Sequence, residues 1–196
     1  MDERAANEAF DAMLPAALRA VSGQFWSSVG VGRTVARWLD EVGVLELVDV
    51  GAGVGKLLVC VALFGNRARR LIGVEQRAGL VDVARRVARV CGVGERVAFL
   101  VGGVADVPVA AAYFLFNPFE ENLHAPADWI DAAVTLSAEA YERDVAATEA
   151  LLARAAVGTW VVLYNGFGGR LPDGYTKVRD NGDVLRTLEL WRKMVV

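Results

Sequence analysis

The part of this sequence best suited to hold a ligand is a cluster of glycines flanked by carboxylates. The run Asp49-Val50-Gly51-Ala52-Gly53-Val54-Gly55 lies between the apolar run VLELV and the apolar stretch KLLVCVALF. A reversal from strand to helix needs backbone angles that glycine adopts cheaply. Missing side chains also let a ligand approach the backbone, and a helix start adds unpaired N–H groups with partial positive charge. The spacing is GxGxG with a leading acid, whereas the dinucleotide fingerprint is GxGxxG with a pyrophosphate on the helix N-terminus. An acid before the turn repels a pyrophosphate and suits an ammonium group. Glu75 ends the next strand-like run, LIGVE, where doubly wound folds place an acid on ribose hydroxyls. One carboxylate can accept both hydroxyls. Taken singly, the turn is also compatible with a tight reversal that holds nothing, and Glu75 with a solvated strand end.

A second cluster follows a later apolar run: Asn117-Pro118-Phe119, then Glu120, Glu121 and His124, the only histidine in the chain. Glu120 or Glu121 could attract a cation or take its proton, and a neutral imidazole titrates near physiological pH. The plainer alternatives are that Asn-Pro turns the chain at a strand end and that His124 is a surface side chain in a loop over the pocket. A metal site from Glu120, Glu121 and His124 lacks a recognised ligand spacing, so no metal is expected. Phe25-Trp26 and the segment Tyr164–Gly169 are further candidates for the same edge of the fold, against core packing for the tryptophan and a flexible turn for the glycines. Arg69-Arg70 and Arg85-Arg86 read as solvated faces.

These residues need a scaffold, and the apolar periodicity supplies one. Residues 3–21 have helical spacing, which Pro15 splits or kinks. Ser28 is the candidate N-cap of a second helix that Gly43 ends. From residue 44, VLELVDV, LIGVE, RVAFLV, AAYFLFN and TWVVLYN read as strands alternating with helical stretches, the last helix spanning 131–157. That alternation predicts an α/β, doubly wound, Rossmann-like sheet. GYTKVRD and VLRTLELWR, joined by Asn181-Gly182-Asp183, read as an antiparallel hairpin. The expected sheet is therefore seven-stranded, mostly parallel, with a C-terminal antiparallel hairpin.

The 196 residues suit one domain, 1–196, with helices in 1–43 covering the site. A hydrophobic fraction of 55% fits a sheet buried on both faces, and a formal net charge of −3 gives no general field for nucleic-acid phosphates. Cys60 and Cys91 lack CxxC spacing and read as reduced thiols. The opening residues lack a basic region followed by an apolar run, and no apolar stretch reaches membrane-spanning length. The expectation is a cytoplasmic protein with no membrane partner.

At VDVGAGVGK and GVEQR the chain resembles class I S-adenosylmethionine-dependent methyltransferases, over roughly residues 25–192. The segments are most similar to the branch that includes the disruptor-of-telomeric-silencing-type histone lysine methyltransferases. FLFNPFEENL is similar to a segment of compact bacterial methyltransferase domains of unassigned substrate. The resemblance implies S-adenosyl-L-methionine as cofactor, with Asp49, Gly51, Ala52, Gly53 and Gly55 along its methionine end, Glu75 on the ribose and Gln76 beside the adenine. Many relatives have Gly-Asp after the third strand; here Gly102-Gly103 stands instead. The adenine contact then falls to backbone at Gly103 or Val104, or to Asp106, which could equally cap the turn. Many amine methyltransferases carry (Asn or Asp)-Pro-Pro-aromatic at the place of Asn117-Pro118-Phe119. This implies Asn117 as acceptor for the target nitrogen, also bordering the cofactor, Pro118 as its neighbour and Phe119 as aromatic wall. The methyl acceptor is open, with small molecule, protein and nucleic acid in that order and an amine nitrogen preferred. A nicotinamide-dependent Rossmann oxidoreductase and a non-catalytic cofactor-binding module are the rival readings.

Overall fold

The computed structural model describes residues 2–195. Three helices open the chain, α1 Glu3–Asp11, α2 Ala16–Ala20 and α3 Ser22–Phe25, followed by α4 Val29–Glu41. The helical stretch 3–21 is split at Pro15, which precedes α2 in an extended conformation, with ψ 147°. Ser28 caps α4 as expected, its Oγ accepting from the Val31 N–H at 3.2 Å. Gly43, at φ +70°, ends it while the Val44 N–H returns to the Leu39 carbonyl at 2.9 Å.

Five parallel strands follow: β1 Glu46–Val50, β2 Arg70–Glu75, β3 Val97–Val101, β4 Ala112–Phe116 and β5 Trp160–Tyr164. Helices α5 Lys56–Phe64, α6 Ala78–Val90 and α7 Ala138–Arg154 connect them, and the hairpin β6 Tyr175–Asp180 and β7 Leu188–Lys193 closes the sheet. The strand order is β3-β2-β1-β4-β5-β7-β6, with β7 antiparallel to β5 and to β6. Alternation along each strand feeds two cores. Leu47 and Phe114 pack on one face with Leu39, Leu58 and Val81. Val48, Val50 and Tyr113 pack on the other with Leu152 and Val161. Asp49 shares the face of Leu47 and so points beneath α4 and α5.

Three expectations need correction. The helical reading of 131–157 holds only for 138–154. Before it, Asp131 accepts from the Ala133 N–H and the Arg77 guanidinium, and Ser137 takes up the Ala140 N–H as a cap. The hairpin turn is a seven-residue connection, 181–187, because Asp183 Oδ1 holds the Leu185 and Arg186 N–H groups and delays pairing until Leu188. Arg69 is buried, its Nε on the Val44 carbonyl and its Nη2 on Asp40, so it ties α4 to the sheet instead of facing water. Among the described residues no helix is long and apolar enough to cross a membrane.

Candidate functional site

The strand order reverses direction between β1 and β4, and in open α/β sheets ligands bind outside the carboxyl ends at that point. The glycine turn lies there. Gly51, Gly53 and Gly55 all adopt positive φ, at +79°, +53° and +75°, the region that glycine enters without Cβ strain. The turn spends its donors internally. The N–H groups of Gly51 and Ala52 both donate to the Val74 carbonyl at 2.9 and 3.0 Å, and that of Gly55 donates to Ala52 at 2.8 Å. The Gly53 N–H donates to Glu75 Oε2 at 3.1 Å. No free cradle of these N–H groups is left for a phosphate. Their missing side chains also differ in use. A Cβ on Gly51 would stand 2.7 Å from Pro118 Cβ, and one on Gly53 would run into the Trp26 ring. Gly55 faces Phe99 and Ala84, so it makes room for the core and does not line the cleft.

Glu75 is buried at the end of β2, its two oxygens held by the N–H groups of Arg77 at 2.9 Å and Gly53. Burial pushes its carboxyl up, and those two donors pull it back. Each oxygen keeps a further lone pair. Asp49 is also buried, but no hydrogen bond from the described residues relieves it. Burial first, and then the charge of Glu75, push its carboxyl up to about 8. Asp49 and Ala52 face a small recess shared with Ser27, Lys56 and Phe114. The buried Lys56 ammonium meets Asp11 Oδ1 at 2.8 Å and Ser22 Oγ at 3.4 Å, strapping α1 and α3 to the start of α5. Trp26 lines both this recess and the main cleft, and its indole Nε1 is buried with no partner among the described residues.

The main cleft encloses about 870 Å³, counting the space open to solvent, a size that accommodates a nucleoside-sized ligand. Glu75, Gln76, Gly102, Gly103 and Val104 line one end, and Asn117, Pro118, Phe119, Glu120 and His124 the other. Asp106 is not among the residues lining it, and its Oδ2 accepts from the Gly103 N–H at 2.9 Å as a cap. Asn117 stands at φ +39°, a left-handed conformation that asparagine tolerates. Its N–H donates to Gly166 and its carbonyl accepts from Glu120, which leaves the side-chain amide unengaged among the described residues. Pro118 rests on Gly51. Phe119 is 93% buried, with much of its ring among Val50, Val74 and Leu115. Phe25 and His124 face each other at 6.0 Å between ring centroids, and His124 Nδ1 is buried without a partner. The segment after β5 contributes less than expected. Phe167 is core, and Gly168 and Gly169 pack on Tyr141, Val145 and Glu149 of α7. Among the described residues no three His, Cys, Asp or Glu side chains gather to hold a metal.

Reasoning from motifs missed Lys56 and Arg77. Arg77 is the one with a usable signal, since it directly follows Glu75-Gln76 and a buried strand end leaves an arginine there few solvated options.

No protein-family model matches the chain, and no curated protein matches it. Solved structures do. An RNA methyltransferase from Salinibacter ruber, in complex with S-adenosyl-L-homocysteine, is 20% identical over 83% of this chain and 92% of its own, with a TM-score of 0.57. The O-methyltransferase from Bacillus cereus, in complex with the same molecule, is 12% identical over 95% and 91%, with a TM-score of 0.64. TrmN from Thermus thermophilus is 14% identical with a TM-score of 0.61, and this chain spans 49% of its length. At these identities the likeness is one of architecture: the chain has the Rossmann-like fold of the class I methyltransferases.

Proposed function

We propose that this protein transfers a methyl group from S-adenosyl-L-methionine to an amine nitrogen. The observation that carries the reading is Asp49, a buried acid without a donor among the described residues, set beside the buried Glu75 and a turn in which Gly51, Ala52, Gly53 and Gly55 spend their N–H groups internally. Two adjacent buried acids, one of them without a donor, are unsuited to a pyrophosphate and suited to a cation, which weighs against the nicotinamide-dependent alternative. The donor set fits the cofactor group by group. Asp49 would take its ammonium, Lys56 its carboxylate, and Glu75 the ribose hydroxyls, with Gln76 and Val104 along the adenine. When bound, the cofactor supplies an electrophilic methyl group on a sulfonium sulfur.

The remaining residues would position the acceptor. Glu120 draws a cationic amine into the cleft and takes the proton that frees its lone pair, the free Asn117 Oδ1 accepts from a remaining N–H of that nitrogen and aims the lone pair, and Phe25, Phe116 and Phe119 form apolar walls. Positioning of this kind supplies much of the rate in an in-line displacement. A small molecule is the preferred acceptor, because Gln24, Phe25, Trp26 and side chains of the 118–130 segment wall the cleft, with protein and then nucleic acid behind it. The likeness of VDVGAGVGK and GVEQR to the histone lysine branch concerns the cofactor half alone. The cytoplasm is the compartment we assign, in keeping with free thiols at Cys60 and Cys91.

Calorimetric titration with S-adenosylhomocysteine, with NADH in parallel, tests the reading. Saturable binding of the first alone, weakened at least about tenfold in Glu75→Ala, supports it. Binding of NADH, or of neither by the folded protein, overturns it. Cofactor binding with no turnover on any amine would favour the non-catalytic module.

A further inference from the structure

Arg77 occupies a position that joins the two halves of the cleft. Its backbone N–H donates to Glu75 Oε1 at 2.9 Å, on the carboxylate proposed to hold the ribose. Its guanidinium is 96% buried and turns to the segment after β4, with Nε on Asp131 Oδ1 at 2.9 Å and Nη2 2.9 Å from Glu121 Oε2. That last contact is an ion pair without hydrogen-bond alignment, so the Nη2 group has no well-directed acceptor among the described residues. Glu121 is buried too, and its other oxygen accepts from the Ile130 N–H at 2.6 Å. One arginine and one glutamate therefore cross-brace residues 121–131. That stretch carries His124 and directly continues Asn117–Glu120. The brace is closed on itself. Its outer member, Asp131, is half exposed and holds the Ala133 N–H, while its inner end is the residue that shapes Glu75.

We infer that Arg77 is a positioning residue that couples ribose occupancy at Glu75 to the ordering of the acceptor segment 117–131, so that cofactor binding tightens the acceptor side of the cleft. The inference rests on the reading of this cleft as the cofactor site. The physical basis is that Glu75, the Arg77 backbone and the Arg77 side chain form one short rigid path. A ligand that fixes the carboxylate fixes the base of the guanidinium, whose Nε holds Asp131 by a directed hydrogen bond and whose Nη2 holds Glu121 by charge. A lysine carries the charge but cannot serve both arms in fixed geometry.

Hydrogen exchange over residues 117–131, with and without saturating S-adenosylhomocysteine, tests the coupling in the wild type, Arg77→Lys and Glu121→Gln, with affinities from calorimetry. Glu121→Gln retains an acceptor for the Ile130 N–H and keeps the fold when the arginine variant does not. In the wild type the ligand should slow exchange across 117–131 by about tenfold. Both variants should bind it within a few-fold of wild type and protect residues 51–55 equally, yet lose the protection of 117–131. A purely structural brace would instead loosen 117–131 in the variants by the same factor with and without ligand. That result, or a wild-type segment unmoved by ligand that demonstrably binds, overturns the inference and leaves the cofactor reading standing. Absence of binding to the wild type overturns both.

Discussion

On the proposed reading, the unpaired carboxyl of Asp49 should make cofactor binding a proton-linked event. With its carboxyl pushed up to about 8 by burial and by Glu75, the group is about nine-tenths protonated at pH 7. An ammonium placed against it favours the charged form and drives the proton off. Binding of S-adenosylhomocysteine at pH 7 should then release about 0.9 proton, falling toward zero above about pH 9. Apparent affinity should weaken about tenfold for each pH unit below 8. Calorimetry in buffers of different ionisation enthalpy reads the released proton directly. Asp49→Asn should abolish both the release and the slope. The same group sets the stability of the free protein. An acid whose folded value is raised contributes stability that is complete below its ordinary value of 3.8 and is lost as pH rises through about 8. The loss amounts to up to about 6 kcal/mol over that window. Asp49→Asn should accordingly gain on the wild type, without ligand, as pH rises. Wild-type binding with no proton release at pH 7, or equal release in Asp49→Asn, would refute the assignment of this carboxyl to a cationic group.

Gly53→Ala combines a positive φ with a clash on the Trp26 ring. It should cost about 2 kcal/mol or more and weaken S-adenosylhomocysteine binding, whereas Gly92→Ala, at φ +70° with nothing within 4 Å, should show only the backbone penalty of about 1 kcal/mol. Equal melting losses would remove Trp26 from the account. Lys56→Met leaves Asp11 uncompensated and should destabilise by about 3 kcal/mol, a fall of several degrees in Tm that Asp11→Leu in the same chain largely restores. Unchanged melting in the single variant would show that the strap between α1, α3 and α5 contributes nothing. Asn117→Gly keeps the left-handed backbone while deleting the amide. It should leave S-adenosylhomocysteine affinity within about twofold and slow methyl transfer to an amine acceptor by about 10²-fold. An unchanged kcat would take the amide out of the reaction.

The fold was legible to the extent that local signals agreed with one another. VLELVDV, the glycine turn and KLLVCVALF each predict their element and its order, and the unbroken β-branched runs announce a sheet covered on both faces. What failed were the places where a side chain captures the backbone. Asp131 and Ser137 hold residues out of a helix that periodicity favoured, and Asp183 widens a turn that Asn-Gly suggests is tight, because such captures depend on partners distant in sequence or on rotamers. The site divides in the same way. Asp49, Gly51, Gly53 and Glu75 lie within 27 residues of sequence and form a recognisable pattern. Lys56 meets Asp11 across 45 residues and Arg77 meets Asp131 across 54, and no periodicity reports such pairs. Gly55 shows the reverse error: it matches the motif, yet its space is taken by Phe99.

The placement of β7 between β5 and β6 also fixes an order of assembly. Residues 175–180 leave the ribosome before residues 188–193, yet among the strands β6 hydrogen-bonds to β7 alone. Until Leu188–Lys193 has paired with Trp160–Tyr164, the earlier strand has no partner in the sheet. A chain halted near Asp180 therefore presents β5 as a bare template for strands of other molecules. Release of the full hairpin, with its long-range pairing, becomes the slow and aggregation-exposed part of folding.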